Sequence, residues 1–538
     1  MCKKKYFMFW GILLFLSAAM MLPAVVGKAL KVYPTPGQHP TGMTFDGRLI
    51  WLADTMTAKL YGLNPGSGKV EKTLDAPGYD PRGLAWDGQW LWCVDGGEAA
   101  IYGLDVKSGV AEKILESYTP KPGGLAFDGS FLWLLDNDNQ QILKINRNDG
   151  MMHEHVPAPA KTVHGLTFDG RQLWTADQGP DMLYRVDPKT GEVTVRIPAN
   201  GPFPYGLAWD GRTLWNADYQ KTELYKLDLT DKEFLRRQEP KKYRWTICQE
   251  FRNFGPGEAR EVDIFIAVPH HLDNQEILGD IVYDPQPAGF VTDRWDQKFA
   301  RFHFDRVGAA GFLRVTLKLE ARQYRTEYFI FPERVGSLQD IPKSLGKYLA
   351  DGEKFDIKNP LIQEAVKKVV GEETHPYRIM RRIFDFIRGK LEYNLKPVGG
   401  WNPAPTVLER GTGSCSEYTF LLIAMCRASG LPARYSGSLV VRSKDKGFDR
   451  VWHRWAQVYL PNYGWLPVDV QAGDKELPAD QTRYIGSLSN RFLITTNGGG
   501  DSEYLDFYYN FNSRWKTTGK CRIETRQYGE FIPLDEEE

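Results

Sequence analysis

Short alternating runs of apolar and polar residues fill the first half of the chain, and helical spacing emerges only in the second. From about residue 30 to 232 the alternation repeats itself. Gly42-Met43-Thr44-Phe45-Asp46-Gly47 returns as Gly83-Leu84-Ala85-Trp86-Asp87-Gly88, and again from Gly124, Gly165 and Gly206. Trp51, Trp92, Trp133, Trp174 and Trp215 keep one 41-residue step, as do Asp54, Asp95, Asp136, Asp177 and Asp218. Asp-Gly pairs between the runs predict tight hairpins. A period near 41 with three or four strands per copy predicts the blades of a β-propeller over residues 30–235. Five copies predict five blades, with Leu30-Lys31-Val32-Tyr33 pairing into the last to close the ring. A sixth, degenerate blade near 230–245 is the alternative.

The repeat resembles propellers of the NHL and strictosidine-synthase-like type, a likeness that implies architecture and not activity. Its repeated Asp and Trp residues are expected to serve turns and packing between blades. The position before the first glycine of each copy varies instead, reading Thr41, Arg82, Gly123, His164 and Tyr205. It lies where a loop meets the innermost strand, so Arg82, His164 and Tyr205 are candidate binding residues at the propeller's mouth.

After the charged, proline-containing boundary Gln238-Glu239-Pro240-Lys241-Lys242, period-2 runs such as Val262 to Val268 and Leu313 to Leu319 predict a β-sandwich within 240–340. Helical patterning follows. Leu361, Ile362, Ala365, Val366 and Val369 make one apolar face, and Ile379, Ile383, Phe384 and Ile387 another. A third helix is predicted from Cys415 to about Ser429, stopped by Gly430 and Pro432.

Cys415 therefore stands at a helix start, where unpaired N–H groups and the helix dipole favour a thiolate and can hold a developing oxyanion. Gly411-Thr412-Gly413-Ser414 before it leaves room for a substrate, whereas Cys426 falls in an apolar stretch and reads as core. Downstream, His453 opens a strand-like run and Asp469 closes Gly464-Trp465-Leu466-Pro467-Val468-Asp469. The two are expected on one hairpin. A loop of three or five residues sets Trp455 opposite Asp469 and leaves His453 as the diagonal neighbour of Asp469 on the same face; an even loop separates them. Pro461-Asn462-Tyr463-Gly464 suits the odd loop, with Gly464 in the left-handed position.

Composition adds limits. At 538 residues the chain is too long for one core. Lys+Arg and Asp+Glu are both 68, a balance with no footprint for nucleic acid or an anionic membrane. Lys3-Lys4-Lys5, the apolar stretch Phe7 to Met21 and the small residues after it predict a secretory signal or signal anchor within residues 1–29. Without Cys2, five cysteines remain, scattered and with no metal-ligand spacing, and the odd number points to a free reactive thiol. No metal site or cofactor is expected.

Together, Gly413-Ser414-Cys415-Ser416-Glu417-Tyr418, Gly430-Leu431-Pro432-Ala433-Arg434, His453-Arg454-Trp455 and Gly464-Trp465-Leu466-Pro467-Val468-Asp469 resemble the transglutaminase-like superfamily over roughly residues 345–500. The resemblance implies a papain-like α+β domain in which Cys415 is the nucleophile, His453 the base and acid, and Asp469 the group that orients His453. Trp455 and Gln457 become candidate substrate-binding residues, although Gln457 stands where many members carry glutamate. Val470-Gln471 replaces the usual Pro-Thr. Trp401 and Tyr393 are candidate oxyanion donors without an assignment between them.

The sequence thus describes a multidomain, mainly β protein with an α+β catalytic domain and a C-terminal extension over 501–538. It is expected outside the cytoplasm, attached to a membrane only through its N-terminus. It would act on amide or peptide bonds of a protein or peptide, a cell-envelope component among the candidates, by hydrolysis or by transfer to an amine. The competing reading is a non-enzymatic scaffold in which the propeller carries the function.

Overall fold

The computed structural model describes residues 26–230, 232–396 and 400–535. The expected signal lies outside the described residues as far as residue 25. Among the described residues no helix is long and apolar enough to cross a membrane. Strands make up 50% of the structure, and helices are few.

From Ala29 to Leu227 the chain forms five four-stranded antiparallel sheets. The first holds Pro40–Phe45, Ile50–Asp54, Lys59–Leu63 and Val70–Asp75. The last takes Pro204–Trp209, Leu214–Asp218 and Glu223–Leu227 and is completed by Ala29–Pro34, with Val32 opposite Tyr225. The first strand of each copy crowds the first strand of the next. A Cβ added at Gly42 would fall within 3 Å of Gly83, and one at Gly83 equally close to Gly124. The sequence continues through Gly165 to Gly206, whose Cβ would meet Thr41 and Met43. The order is cyclic, so glycine is demanded where neighbouring sheets converge, and the arrangement is propeller-like.

The repeat's conserved spacing has a direct cause. Each of its five tryptophans is buried, and each indole N–H donates to the aspartate five residues earlier, at 2.7–2.9 Å. A buried indole needs such a partner. The other carboxylate oxygen closes the Asp-Gly turn: Asp46 accepts from the Arg48 and Leu49 amides while Gly47 takes φ +93°. The second aspartate series also holds loops, as Asp54 accepts from the His39 amide at 2.7 Å and Asp218 from the Phe203 amide at 2.7 Å.

One outer strand differs from the rest. Val193–Pro198, reading Val-Thr-Val-Arg-Ile-Pro, is mostly buried, whereas the corresponding strands Val70–Asp75, Ala111–Glu116 and Met152–Pro157 are largely exposed. It docks on the C-terminal domain. Arg381 and Thr482 donate to the Val193 carbonyl at 3.3 and 3.0 Å, and Tyr377 to that of Thr194 at 3.3 Å.

Residue 235 begins the long strand Leu235–Ala267 of the middle domain. Its first half lies between Phe312–Tyr328 and Phe511–Leu534; its second half pairs with Lys298–Val307 and again with Phe511–Leu534. At about 3.3 Å per residue a straight strand of this length would outrun any small domain. The sheet bends instead, so that Trp245, Ile247 and Phe251 from one half share a core with Val262, Ile264 and Ile266 from the other. Within the segment beyond 501, Phe511–Leu534 is therefore a structural strand of this sheet.

In the C-terminal domain the helix Cys415–Ala428 is buried from Cys415 to Arg427. Such a helix belongs at a domain's centre. Helices Pro360–Val369, Pro376–Lys390 and Ala404–Arg410 pack against it, as does His453–Leu460 of a four-stranded sheet. The strand order in that sheet is Gly464–Val468, His453–Leu460, Ala433–Val440, Phe492–Gly498.

Candidate active site

Ser414 caps the central helix, with its backbone N–H held by the Glu417 carboxylate at 2.9 Å and its hydroxyl facing the same group at 3.3 Å. This is a capping box, and it makes Cys415 the first helical residue. Glu417 is fully buried yet fully engaged, since Arg410 donates to it at 2.9 Å and the Asn402 amide at 3.1 Å. The glutamate beside the cysteine thus fixes the loop that presents the thiol. Tyr418 anchors the next segment by donating to the Leu391 carbonyl at 2.6 Å.

His453 and Asp469 arrive by the odd-loop route. Leu460 pairs with Gly464 across the three-residue loop Pro461 to Tyr463, and Ala456 with Val468, so one further step sets Trp455 opposite Asp469. Gly464 has φ +82°. His453 Nε2 lies 2.6 Å from Asp469 Oδ2, while Asp469 Oδ1 accepts from the Ala472 amide at 3.1 Å. Cys415 lines the same cleft, and its thiol and the His453 imidazole each shift the other's proton affinity.

Strand alternation sends His453 and Trp455 to one side and Arg454 to the other. Arg454 is fully buried, and its guanidinium lies 4.1–5.0 Å from the ring centres of Trp401, Phe420, Tyr435 and Tyr509. It also donates to the Phe507 carbonyl. This cage fixes the strand beside the thiol, and the Arg454 amide is among the groups that lower the Cys415 thiol. Thr419 ties the two elements together, donating to the Cys415 carbonyl at 2.8 Å and the Arg454 carbonyl at 3.3 Å.

The electrostatics follow from this packing. Burial pushes the Cys415 thiol up, but the hydrogen bond and charge of His453, with the Arg454 amide, bring it below its ordinary value. Burial pulls His453 down, and the Asp469 carboxylate and the Cys415 sulfur together raise it well above. Both shifts favour a thiolate–imidazolium pair. Cys426 and Cys93 are pushed far up by burial alone or nearly so. Accordingly, iodoacetamide at neutral pH is expected to modify Cys415 at least about tenfold faster than Cys426 or Cys93 in the folded protein; peptide mapping of the labelled chain reads the ratio. None of the cysteines Cys93, Cys248, Cys415, Cys426 and Cys521 is in a disulfide.

The three residues open onto a cleft of about 540 Å³ that also receives Trp455, Tyr393, Gln471 and Phe492. Trp455 is 1% exposed, and its indole N–H has no hydrogen-bond partner among the described residues. Of the two oxyanion candidates, Tyr393 lines this cleft, whereas Trp401 belongs to the Arg454 cage. Gln457 does not line the cleft. It accepts from Arg434 Nε at 2.7 Å, and that guanidinium lies over Trp465.

Residues 363–470 match the transglutaminase-like superfamily. The C-terminal domain is transglutaminase-like. An uncharacterized protein of Haemophilus influenzae is 26% identical over an alignment of 130 residues that covers 20% of this chain and 35% of that one. The match thus spans about a third of the relative's length. Among solved structures, a candidate cysteine protease from Cytophaga hutchinsonii aligns with a TM-score of 0.39 and 14% identity, over 56% of this chain and 100% of that one. Myxococcus xanthus glutaminyl cyclase aligns at 0.35 and 17%, over 38% of this chain and 98% of its own. Virginiamycin B lyase from Staphylococcus aureus aligns at 0.26 and 21%, over 37% and 68%. The matched span 363–470 contains Cys415, His453 and Asp469.

The propeller candidates form a separate cluster. Arg82 Nη1 lies 3.0 Å from the Tyr205 hydroxyl, and His164 stacks on Tyr205 with ring centres 4.1 Å apart. Burial and the nearby Arg82 pull His164 down to about 4, so it is neutral at physiological pH. None of the three lines the thiol cleft.

Proposed function

We propose that this protein is an exported thiol enzyme acting on amide or peptide bonds through Cys415, His453 and Asp469. The observation that carries the reading is the convergence of thiol, imidazole and carboxylate on one cleft, with Cys415 at a helix start and His453 Nε2 2.6 Å from Asp469. Cys415 sulfur would attack the acyl carbon and form a thioester as the amine departs with a proton from His453. Water or a second amine then takes the acyl group, with His453 accepting the proton of the incoming nucleophile. The Cys415 amide and Tyr393 are the oxyanion donors best placed for this chemistry. In the same reading the five sheets form a closed five-bladed propeller, the bent middle sheet is the sandwich-like spacer, and export follows from the N-terminal signal. The propeller serves as a binding module for a protein or envelope-linked substrate.

The test is a peptide library incubated with and without a primary amine, followed by mass spectrometry. Loss of ammonia or chain cleavage without amine marks hydrolysis, and a mass gain equal to the amine less ammonia marks transfer. Both must vanish in Cys415→Ala; product formation that survives this substitution sinks the proposal.

A further inference from the structure

Charge along the thiol cleft is one-sided. Arg325, Arg442, Arg483 and Arg491 line it, and Asp469, already committed to His453, is its one carboxylate among the described residues. A second groove of about 540 Å³ adjoins the cleft, sharing Arg442 and Arg491 with it and adding Lys241, Lys242 and Lys444. No carboxylate lines that groove among the described residues. Some of these cations are already matched, Arg442 by Asp449 at 2.6 Å, Arg325 by Glu239 at 2.7 Å and Lys242 by Glu320 at 3.2 Å. Arg483, Arg491, Lys241 and Lys444 have no ion-pair partner among the described residues, and Arg483 and Arg491 are exposed. In a chain whose charges cancel overall, such a concentration around a nucleophile is a local field that selects what approaches it.

We propose that the substrate is an acidic polypeptide segment, with Arg483 and Arg491 receiving carboxylates beside the amide attacked by Cys415 and the adjoining basic groove holding the chain that continues from it. The inference rests on the thiol-enzyme reading and narrows its substrate. A polyphosphate chain would suit the field equally well, but it offers no acyl carbon to a thiolate. Guanidinium groups also match carboxylates in a two-pronged geometry that fixes register as well as charge.

Two measurements separate the recognition from the chemistry. In the first, a fluorescein-labelled glutamate-rich peptide and its glutamine counterpart are titrated against full-length Cys415→Ala, which keeps the groove and removes turnover. The acidic peptide is expected to bind at least about tenfold tighter, a preference that falls as salt rises. The paired change Arg483→Gln and Arg491→Gln should bring the ratio to about one. In the second, kcat/KM for amide turnover of the two peptides is compared with the thiol intact, and the same preference is expected. Equal binding of the two peptides, or a ratio untouched by the paired change, overturns the acidic-substrate proposal whatever the turnover data show. Selective binding without any Cys415-dependent turnover leaves the groove assignment standing and overturns the enzyme reading instead.

Discussion

Asp469→Asn is expected to slow amide turnover by about 10³- to 10⁴-fold while leaving the fold intact. Asp469 touches neither substrate nor sulfur; it acts through the 2.6 Å contact to His453 Nε2. An asparagine there can present its amide N–H to Nε2 and force the ring proton onto Nδ1, the one nitrogen left to accept from Cys415 in the proposed triad. The charge is lost as well, and its sign is traceable. The carboxylate raises His453, so without it the imidazolium gives up its proton at lower pH. The Cys415 thiolate then loses the partner that holds it below its ordinary value. Asp469 also repels the thiolate directly, but that effect is smaller than the hydrogen bond and charge of His453. The net result is a Cys415 alkylation profile moved to higher pH and an alkaline limb of turnover moved to lower pH. Measuring both profiles tests the assignment, because a purely structural aspartate would change neither.

Arg454→Ala is expected to cost about 3–5 kcal/mol in the C-terminal domain, whereas Arg454→Met should stay within about 1–2 kcal/mol of wild type. Alanine leaves a void among Trp401, Phe420, Tyr435 and Tyr509 and forfeits the cation–π contacts, worth about 2 kcal/mol when desolvated. Methionine forfeits those contacts too, but it fills the space and removes the burden of a buried charge. Several separate hydrophobic cores make a single unfolding free energy ill-defined. Native-state hydrogen exchange of the amides in Cys415–Ala428 is therefore the appropriate measurement. If alanine and methionine cost the same, the guanidinium and not the packing decides the stability of this cage.

Much of the candidate site was legible because each of its three residues sits in its own local context. A capping residue, an apolar run and a glycine stop place Cys415 at a helix start. An odd loop with a left-handed glycine places His453 and Asp469 on one face. The repeat was legible for a similar reason, since the indole-to-aspartate bond spans five residues in each of the five copies. Non-local relations were not legible. Nothing near Phe511–Leu534 announces that it pairs with Leu235–Ala267. The basic rim of the cleft draws Arg325, Arg442, Arg483 and Arg491 from well-separated stretches. Trp401 and Tyr393 could not be told apart because the segment before Cys415 carries no periodic pattern, and the short helix Ala404–Arg410 went unnoticed for the same reason. One non-local contact does leave a local signal. The apolar Val193–Pro198, among outer strands as charged as Val70–Asp75 and Ala111–Glu116, marks the edge that another domain covers.

The pairing of Leu235–Ala267 with Phe511–Leu534 also bears on how the protein is born. The five sheets have all their strands once Glu223–Leu227 has left the ribosome, so their pairing waits on nothing downstream. The long strand that follows has no such freedom. One of its edges stays open through the synthesis of the whole thiol domain, until Phe511–Leu534 arrives to cover it. An uncovered edge of that length is a template for the wrong partner, so nascent chains of this protein should depend on a holding chaperone for most of the time it takes to make them.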